Sequence, residues 1–83
     1  MLESDDELND LQKGAENGNA ESQYLLAISF HMGENGKKDS EAAIKWYTRA
    51  AKQNYLKAQY NLAMMYFVGD DVLQDLNETA KWL

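Results

Sequence analysis

The chain has 83 residues, a formal net charge of −6 and neither cysteine nor proline. A chain of this length forms one small domain, in which a single hydrophobic core supplies only about 3–5 kcal/mol of net stability. The lack of cysteine excludes disulfides and thiolate metal sites, and no stretch approaches the ~20 apolar residues of a membrane-spanning helix. No membrane association is therefore expected.

Charge is unevenly distributed along the chain. Residues 1–21 contain seven acids, whereas residues 37–57 contain six basic residues. An acidic chain with one basic helix lacks the dominant basic face that nucleic acids require, so nucleic acid is not an expected partner. Lys45, Arg49 and Lys52 are instead predicted on the solvent side of their helix. The acidic N-terminus has no apolar signal segment, which predicts a cytoplasmic protein.

Two helices are predicted in the first 32 residues. Residues 4–19 form the opening helix, and Ser4 with Glu7 has the spacing of a capping box at its start. The next helix runs from Ala20 to Met32, where apolar residues recur on more than one side of a helical wheel. The abundance of Ala, Leu, Glu, Lys and Gln suits an all-helical chain.

Three further helices follow. One begins after Asp39, one runs from Leu56 to Val68, and one begins after Asp75. Both aspartates stand where an N-cap residue is needed, and Glu78 lies three positions after Asp75, as in a capping box. The sequence therefore predicts five helices and no strands.

The sequence repeats itself at a distance of 36 positions. Residues 20–47 align with residues 56–83, and upstream "KGAENGN" aligns with "RAAKQNY". The identical pairs are Gln23/Gln59, Tyr24/Tyr60, Leu26/Leu62, Ala27/Ala63, Gly33/Gly69, Asp39/Asp75, Lys45/Lys81 and Trp46/Trp82. A fixed period of this length indicates a helical repeat protein. The small residues Ala27, Ala50, Ala51 and Ala63 are predicted in its core, with Trp46 and Trp82 filling the space beside them.

These residues resemble the Sel-one-like repeat family, a branch of the tetratricopeptide-like solenoids. Its pattern is Ala-x-Ala-Gln-x-x-Leu-Gly-x-x-Tyr-x-x-Gly-x-Gly-Val-x-x-Asp, followed by Ala-x-x-Trp-Tyr-x-x-Ala-Ala. The matching residues are Ala20, Gln23, Leu26, Ala27, Gly33, Asp39, Ala43, Trp46, Tyr47, Ala50 and Ala51, and then Ala58, Gln59, Leu62, Ala63, Tyr66, Gly69, Val72, Asp75 and Trp82.

The resemblance implies a short right-handed α/α solenoid of about five helices in one domain, residues 1–83. Residues 4–19 would be the degenerate second helix of an incomplete repeat, residues 20–55 a full repeat, and residues 56–83 a repeat that breaks off within its second helix. The implied function is a non-catalytic adaptor or scaffold that binds another protein, and the resemblance implies a bacterial source.

The predicted binding surface is the concave face, because first helices of successive repeats line the groove of a helical solenoid. A helical wheel places core residues on one side of each first helix and a second apolar face opposite. Ile28 and Met64 are assigned to the seam between repeats. Methionine adapts to irregular partners, which favours a peptide or helix as occupant. The residues predicted to bind the partner are Leu25, Met32, Asn61, Met65 and Val68.

An alternative hypothesis assigns a different function to the same fold. A small acidic chain suits an immunity or inhibitor protein that neutralises a toxin or enzyme, because acid accelerates association with a basic site. The residues of this alternative site are Asp5, Asp6, Glu7, Asp70 and Asp71. High salt distinguishes the two hypotheses, since only the acid-steered inhibitor loses its association rate steeply.

No catalytic, cofactor-binding or metal-binding residues are predicted. His31 is the only histidine and is interpreted as a helix-edge residue without a role, and the acidic clusters lack the alternating spacing of a calcium loop. The incomplete final repeat leaves Tyr60, Phe67, Trp82 and Leu83 without a covering helix. A second copy of the chain, in a homo-oligomer, is the simplest candidate to cover them, and downstream residues of a longer chain are the other candidate.

Overall fold

The computed structural model describes residues 5–34, 36–69 and 72–83, with side chains from Leu8 onward. It contains α1 (Asp5–Glu16), α2 (Ala20–Met32), α3 (Ser40–Ala51), α4 (Leu56–Val68) and α5 (Leu76–Trp82). All regular structure in these ranges is helical, which confirms the predicted all-α class with five helices. Ser4, predicted to cap the opening helix, lies outside the described residues, although the helix begins directly after it.

Helices pack against their neighbours in sequence. α2 lies between α1 and α3, and α4 lies between α3 and α5. The resulting array measures 37 × 26 × 15 Å along its principal axes. Packing chiefly between successive helices is the arrangement of a helical solenoid, in which each unit covers the apolar face of the next.

Asparagine and aspartate side chains begin three of the helices. Asn19 Oδ1 accepts from Ser22 N at 2.8 Å, Asp39 Oδ1 from Ala42 N at 3.0 Å, and Asp75 Oδ1 from Glu78 N at 3.1 Å. These bonds satisfy amides that have no partner within the helix. The N-caps predicted at Asp39 and Asp75 are therefore confirmed. The Glu78 carboxylate accepts from Trp82 Nε1 at 3.2 Å and so stabilises α5 along its length.

Equivalent glycines end both first helices. Gly33 and Gly69 adopt left-handed φ angles of 72° and 73°, and their amides return to Ser29 and Met65. A side chain at Gly33 would meet the backbone nitrogen of Lys38 at 3.1 Å, so the loop passes too closely for any other residue without displacement. This close turn sets the direction in which the chain leaves the end of α2 toward α3.

Alanine dominates the positions where helices approach each other. Fully buried alanines occur in all four of the longer helices and are joined in the core by Leu26, Leu62 and Tyr47. The alanines are Ala15, Ala27, Ala43, Ala50, Ala51, Ala58 and Ala63. A methyl side chain lets helix backbones approach closely, and the larger residues fill the space between them. The predicted core positions of the small residues are confirmed.

The two tryptophans differ in burial. Trp46 is 6% exposed, whereas Trp82 is only partly buried against the core. The predicted outer face of α3 is exposed, and two of its residues cover the Trp46 ring. The Arg49 guanidinium lies 4.7 Å and the Lys45 ammonium 5.0 Å from the ring centroid. These basic side chains therefore stack on the core tryptophan while their charges stay in water.

Met65 is more deeply buried than its helical-wheel position indicates. The wheel places it opposite the core side of α4, yet its side chain is only 3% exposed. α4 packs against both α3 and α5, so the buried part of its circumference is wider than one apolar stripe. Its repeat equivalent, Ser29 on α2, is also fully buried between two neighbouring helices.

Candidate functional site

An apolar groove of about 530 Å³ lies between the C-terminal halves of α2 and α4. Its lining residues are Ile28, His31, Met32, Glu34, Tyr47, Asn61, Met64, Met65 and Val68. Equivalent positions of the two repeats face each other across it, since Ile28 corresponds to Met64 and Met32 to Val68. The groove is thus made by the first helices of both units.

Burial changes in steps from the floor of the groove to its rim. Tyr47 and Met65 are 0% and 3% exposed, and Ile28 and Met64 are half-buried. At the rim, Met32 is 69% exposed and Val68 is 62% exposed. Exposed apolar side chains around a concave apolar surface are typical of a binding site.

A polar cluster lies within this otherwise apolar surface. The Tyr47 hydroxyl, which comes from α3, accepts a hydrogen bond from Asn61 Nδ2 at 3.3 Å and lies 3.4 Å from His31 Nδ1. The His31 ring also stands edge-on to the Tyr47 ring, with centroids 6.0 Å apart. The cluster connects α2, α3 and α4, and it fixes the orientation of the Asn61 amide in the groove.

Tyr47 is uncharged at neutral pH. Burial raises the pKa of its hydroxyl above the ordinary value of 10.0, and the hydrogen bond from Asn61 offsets part of this increase. The floor of the groove therefore carries no charge.

The residues predicted to bind a partner do not all lie in the groove. Met32, Asn61, Met65 and Val68 line it, whereas Leu25 is 44% exposed and is not one of its lining residues. Ile28 and Met64, assigned to the seam between repeats, also line the groove and pack on the core through part of their surface. Ile28 and Met64 lie between the two first helices at the protein surface, so each can contact the core on one side and the groove on the other.

Sequence reasoning missed His31, Glu34 and Tyr47. His31, interpreted from the sequence as a helix-edge residue without a role, contacts Tyr47 in the wall of the groove. His31 is three positions after Ile28, a spacing that places both on one helical face and was the available signal. Tyr47 lies on a second helix, and nothing in the local sequence indicates that its hydroxyl reaches between the first helices.

The acidic alternative site lies outside the described side chains. Asp70 and Asp71 are not among the described residues, and the side chains of Asp5, Asp6 and Glu7 precede the described ones. Elsewhere, a shallow polar depression of about 360 Å³ is formed by residues 37–41. The described ranges bring no three His, Asp or Glu side chains together in a metal-binding group, and none of their helices has the length and apolarity to cross a bilayer.

Comparison with known proteins identifies the repeats. The profile of the Sel1 repeat family matches residues 20–55 and 56–83. No curated protein matches the sequence. Sel1 repeats generally mediate protein–protein interactions, and proteins with this fold are typically non-catalytic scaffolds.

Two solved structures share the fold at about the same similarity. A protective antigen of uropathogenic Escherichia coli strains that displays an SLR fold is 30% identical, with a TM-score of 0.83 over 87% of this chain and 16% of that one. A Sel1 repeat protein from Oxalobacter formigenes is 29% identical, with a TM-score of 0.78 over 92% of this chain and 57% of that one. The chain thus spans about a sixth of the first protein and little more than half of the second. The chain belongs to the Sel1 repeat family.

Proposed function

We propose that the chain is a protein-binding module that holds a segment of another protein in the groove between α2 and α4. One observation carries this proposal: the concave apolar groove of about 530 Å³ opens to solvent between equivalent positions of the two repeats. Such a volume accommodates one or two large side chains of a partner. The partner would gain contact with both units at once.

The composition of the groove suits a peptide or helix as occupant. Met32, Met64 and Met65 have unbranched side chains, which adjust their shape to the partner at little cost. Asn61 adds a polar group, and because its Nδ2 is held by Tyr47, the amide is already oriented before binding. A pre-oriented group loses less side-chain entropy when a complex forms.

The polar cluster supports binding rather than catalysis. The Tyr47 hydroxyl is buried and remains protonated at neutral pH, which makes it a poor nucleophile and a poor base. His31 Nδ1 is directed at this hydroxyl instead of the groove opening. These contacts hold the floor and wall of the groove in place for a partner.

A paired set of rim substitutions tests the proposal. Met32→Asp with Val68→Asp places two charges on the exposed rim without touching the core. The matched control, Leu73→Asp with Leu76→Asp, makes the same change at two exposed leucines outside the groove, which are 90% and 59% exposed. Each variant, tagged and checked for helicity, is used to capture proteins from cells that express the parent chain.

The groove variant should lose the partner that the parent and the control both retain. A photo-crosslinking residue at Val68 should form an adduct with the same partner, which identifies direct contact. If the control loses the partner and the groove variant keeps it, the exposed leucines around the start of α5 are the binding surface, and the proposed use of the groove is wrong.

A further inference from the structure

Glu34 brings a carboxylate to the apolar groove. Among the described residues that line it, Glu34 is the only Asp, Glu, Lys or Arg, and its carboxylate makes no ion pair with a described residue. Lys37 and Lys38, which follow Glu34 in the chain, line the separate polar depression instead. The groove therefore combines apolar walls with a single negative charge at one end.

Both first helices end at that same side of the groove. Met32 is the last residue of α2 and Val68 the last residue of α4, and each is followed by a glycine cap. The C-terminus of a helix carries partial negative charge on its carbonyl groups, and this charge attracts cations. α4 has no basic residue in its last turn, whereas α2 has His31 there. The C-termini of α2 and α4 and the carboxylate of Glu34 thus all contribute negative electrostatic potential to one end of the groove.

The charge of the whole chain acts in the same direction. A net charge of −6 attracts a basic partner over the distance of a Debye length, about 10 Å at 0.1 M salt, and repels an acidic one. Apolar contact alone would accept partners of either charge. The negative end of the groove supplies discrimination between them.

We propose that the occupant of the groove is a basic amphipathic segment of another protein. Its apolar side chain inserts between Ile28 and Met64 over the floor formed by Met65, and a Lys or Arg beside that residue pairs with Glu34 at the ends of α2 and α4. The inference rests on the proposed function, since it specifies the chemistry of a partner that binds in the groove. It assigns Glu34 to partner selection.

Two synthetic helical peptides test the inference directly. One contains Leu and Lys at amphipathic helical spacing, and the other has Glu in place of every Lys. Each is titrated into the full chain labelled with nitrogen-15, and both the affinity and the shifted backbone amides are recorded. The variants are Glu34→Gln, its control Glu41→Gln, which makes the same charge change at an exposed residue outside the groove, and Met32→Ser with Val68→Ser, which removes the apolar rim.

The Leu/Lys peptide should bind and shift amides in the last turns of α2 and α4, and the Leu/Glu peptide should bind much more weakly. Glu34→Gln should weaken the Leu/Lys complex by roughly two- to fivefold, as expected for one partly exposed ion pair, and Glu41→Gln should leave it nearly unchanged. If the two variants weaken binding equally, the attraction comes from the net charge of the chain, and the proposed role of Glu34 is wrong.

The rim variant separates this inference from the proposed function. If both peptides bind equally and both are lost in the Met32→Ser/Val68→Ser variant, the groove binds helices without charge selection, and only the inference fails. If the Leu/Lys peptide binds the rim variant as it binds the parent, its site is elsewhere, and the inference fails together with the proposed groove. Absence of binding by the Leu/Lys peptide overturns the inference as well.

Discussion

The side-chain amide of Gln23 donates through Nε2 to the carbonyl oxygen of Ala15 at 3.0 Å. The same bond recurs one repeat later between Gln59 and Ala51, also at 3.0 Å. In both cases a glutamine in a first helix satisfies a carbonyl in the last turn of the preceding helix. α1 is therefore fastened to α2 in the same way that α3 is fastened to α4.

Replacing Gln23 with leucine should destabilise the fold by about 1–3 kcal/mol, the cost of leaving a buried polar group without its partner. The change removes the donor to Ala15 and also the acceptor of Gln53 Nε2, which lies 3.0 Å from Gln23 Oε1. Urea denaturation gives the difference in the free energy of unfolding. Gln12→Leu is the control, because Gln12 is exposed and its Nε2 donates to the side chain of Glu16 at 3.3 Å. Equal stability of the two variants would show that the buried bond contributes no net energy.

Trp46→Ala should reduce the free energy of unfolding by about 3–5 kcal/mol, through lost burial and the cavity left behind. A loss of this size is close to the whole stability of so small a domain, so the variant should be largely unfolded. Trp82→Ala should cost less, because Trp82 is only partly buried. Circular dichroism on heating measures both. A Trp46→Ala variant that melts within a few degrees of the parent would contradict the core position of this side chain.

High pH should destabilise the protein through the buried Tyr47 and the partly buried Tyr66. The folded-state pKa of Tyr47 is raised by burial, so its contribution to stability is complete below pH 10.0 and is lost as pH rises through the folded-state value. Burial, with Glu78 and Asp75, also raises the pKa of Tyr66. Tyr47→Phe removes one of these groups, so its stability should decline less steeply above that pH. Ultraviolet absorbance of phenolate, followed with unfolding, measures the difference; identical pH profiles would contradict it.

Self-association through the end of the solenoid stays a prediction. Tyr60 and Phe67 are 59% and 50% exposed, whereas Tyr24, the repeat equivalent of Tyr60, lies with its ring 5.2 Å from that of Tyr55 at the start of α4. A following unit or a second copy would bury the exposed pair in a similar way. Sedimentation at increasing concentration should show association of the parent that Tyr60→Ser with Phe67→Ser removes. Leu25→Ser, at an exposed residue on the other repeat, is the control and should associate as the parent does.

Helix positions were accessible from sequence because their signals are local. Asp39 and Asp75 cap the amides directly after them, and Gly33 and Gly69 take left-handed conformations at the helix ends. Each of these effects acts within a few residues of its cause. The 36-residue period then fixes which helices are equivalent, so the bounds of α2 and α4 follow without reference to distant contacts.

The groove was only partly accessible from sequence. For α4, a helical wheel correctly places Leu62 and Ala63 on the buried side and Val68 on the exposed side. It assigns only one buried stripe, however, to a helix that packs on two sides. The deep burial of Met65 and the absence of Leu25 from the lining both depend on the angles at which neighbouring helices cross. Those angles arise from packing of side chains distant in sequence.

The sequence by itself determined the all-α class, the five helices and the family, because caps, turns and a repeated pattern of small and aromatic residues act locally or recur at a fixed distance. Only the tertiary structure decided which side chains share the groove. Tyr47 comes from α3, His31 from α2 and Asn61 from α4, and their meeting depends on how three helices pack. A contact between separate helices produces no periodic pattern in the sequence of either helix, because the residues that meet are distant in the chain and come close only on folding.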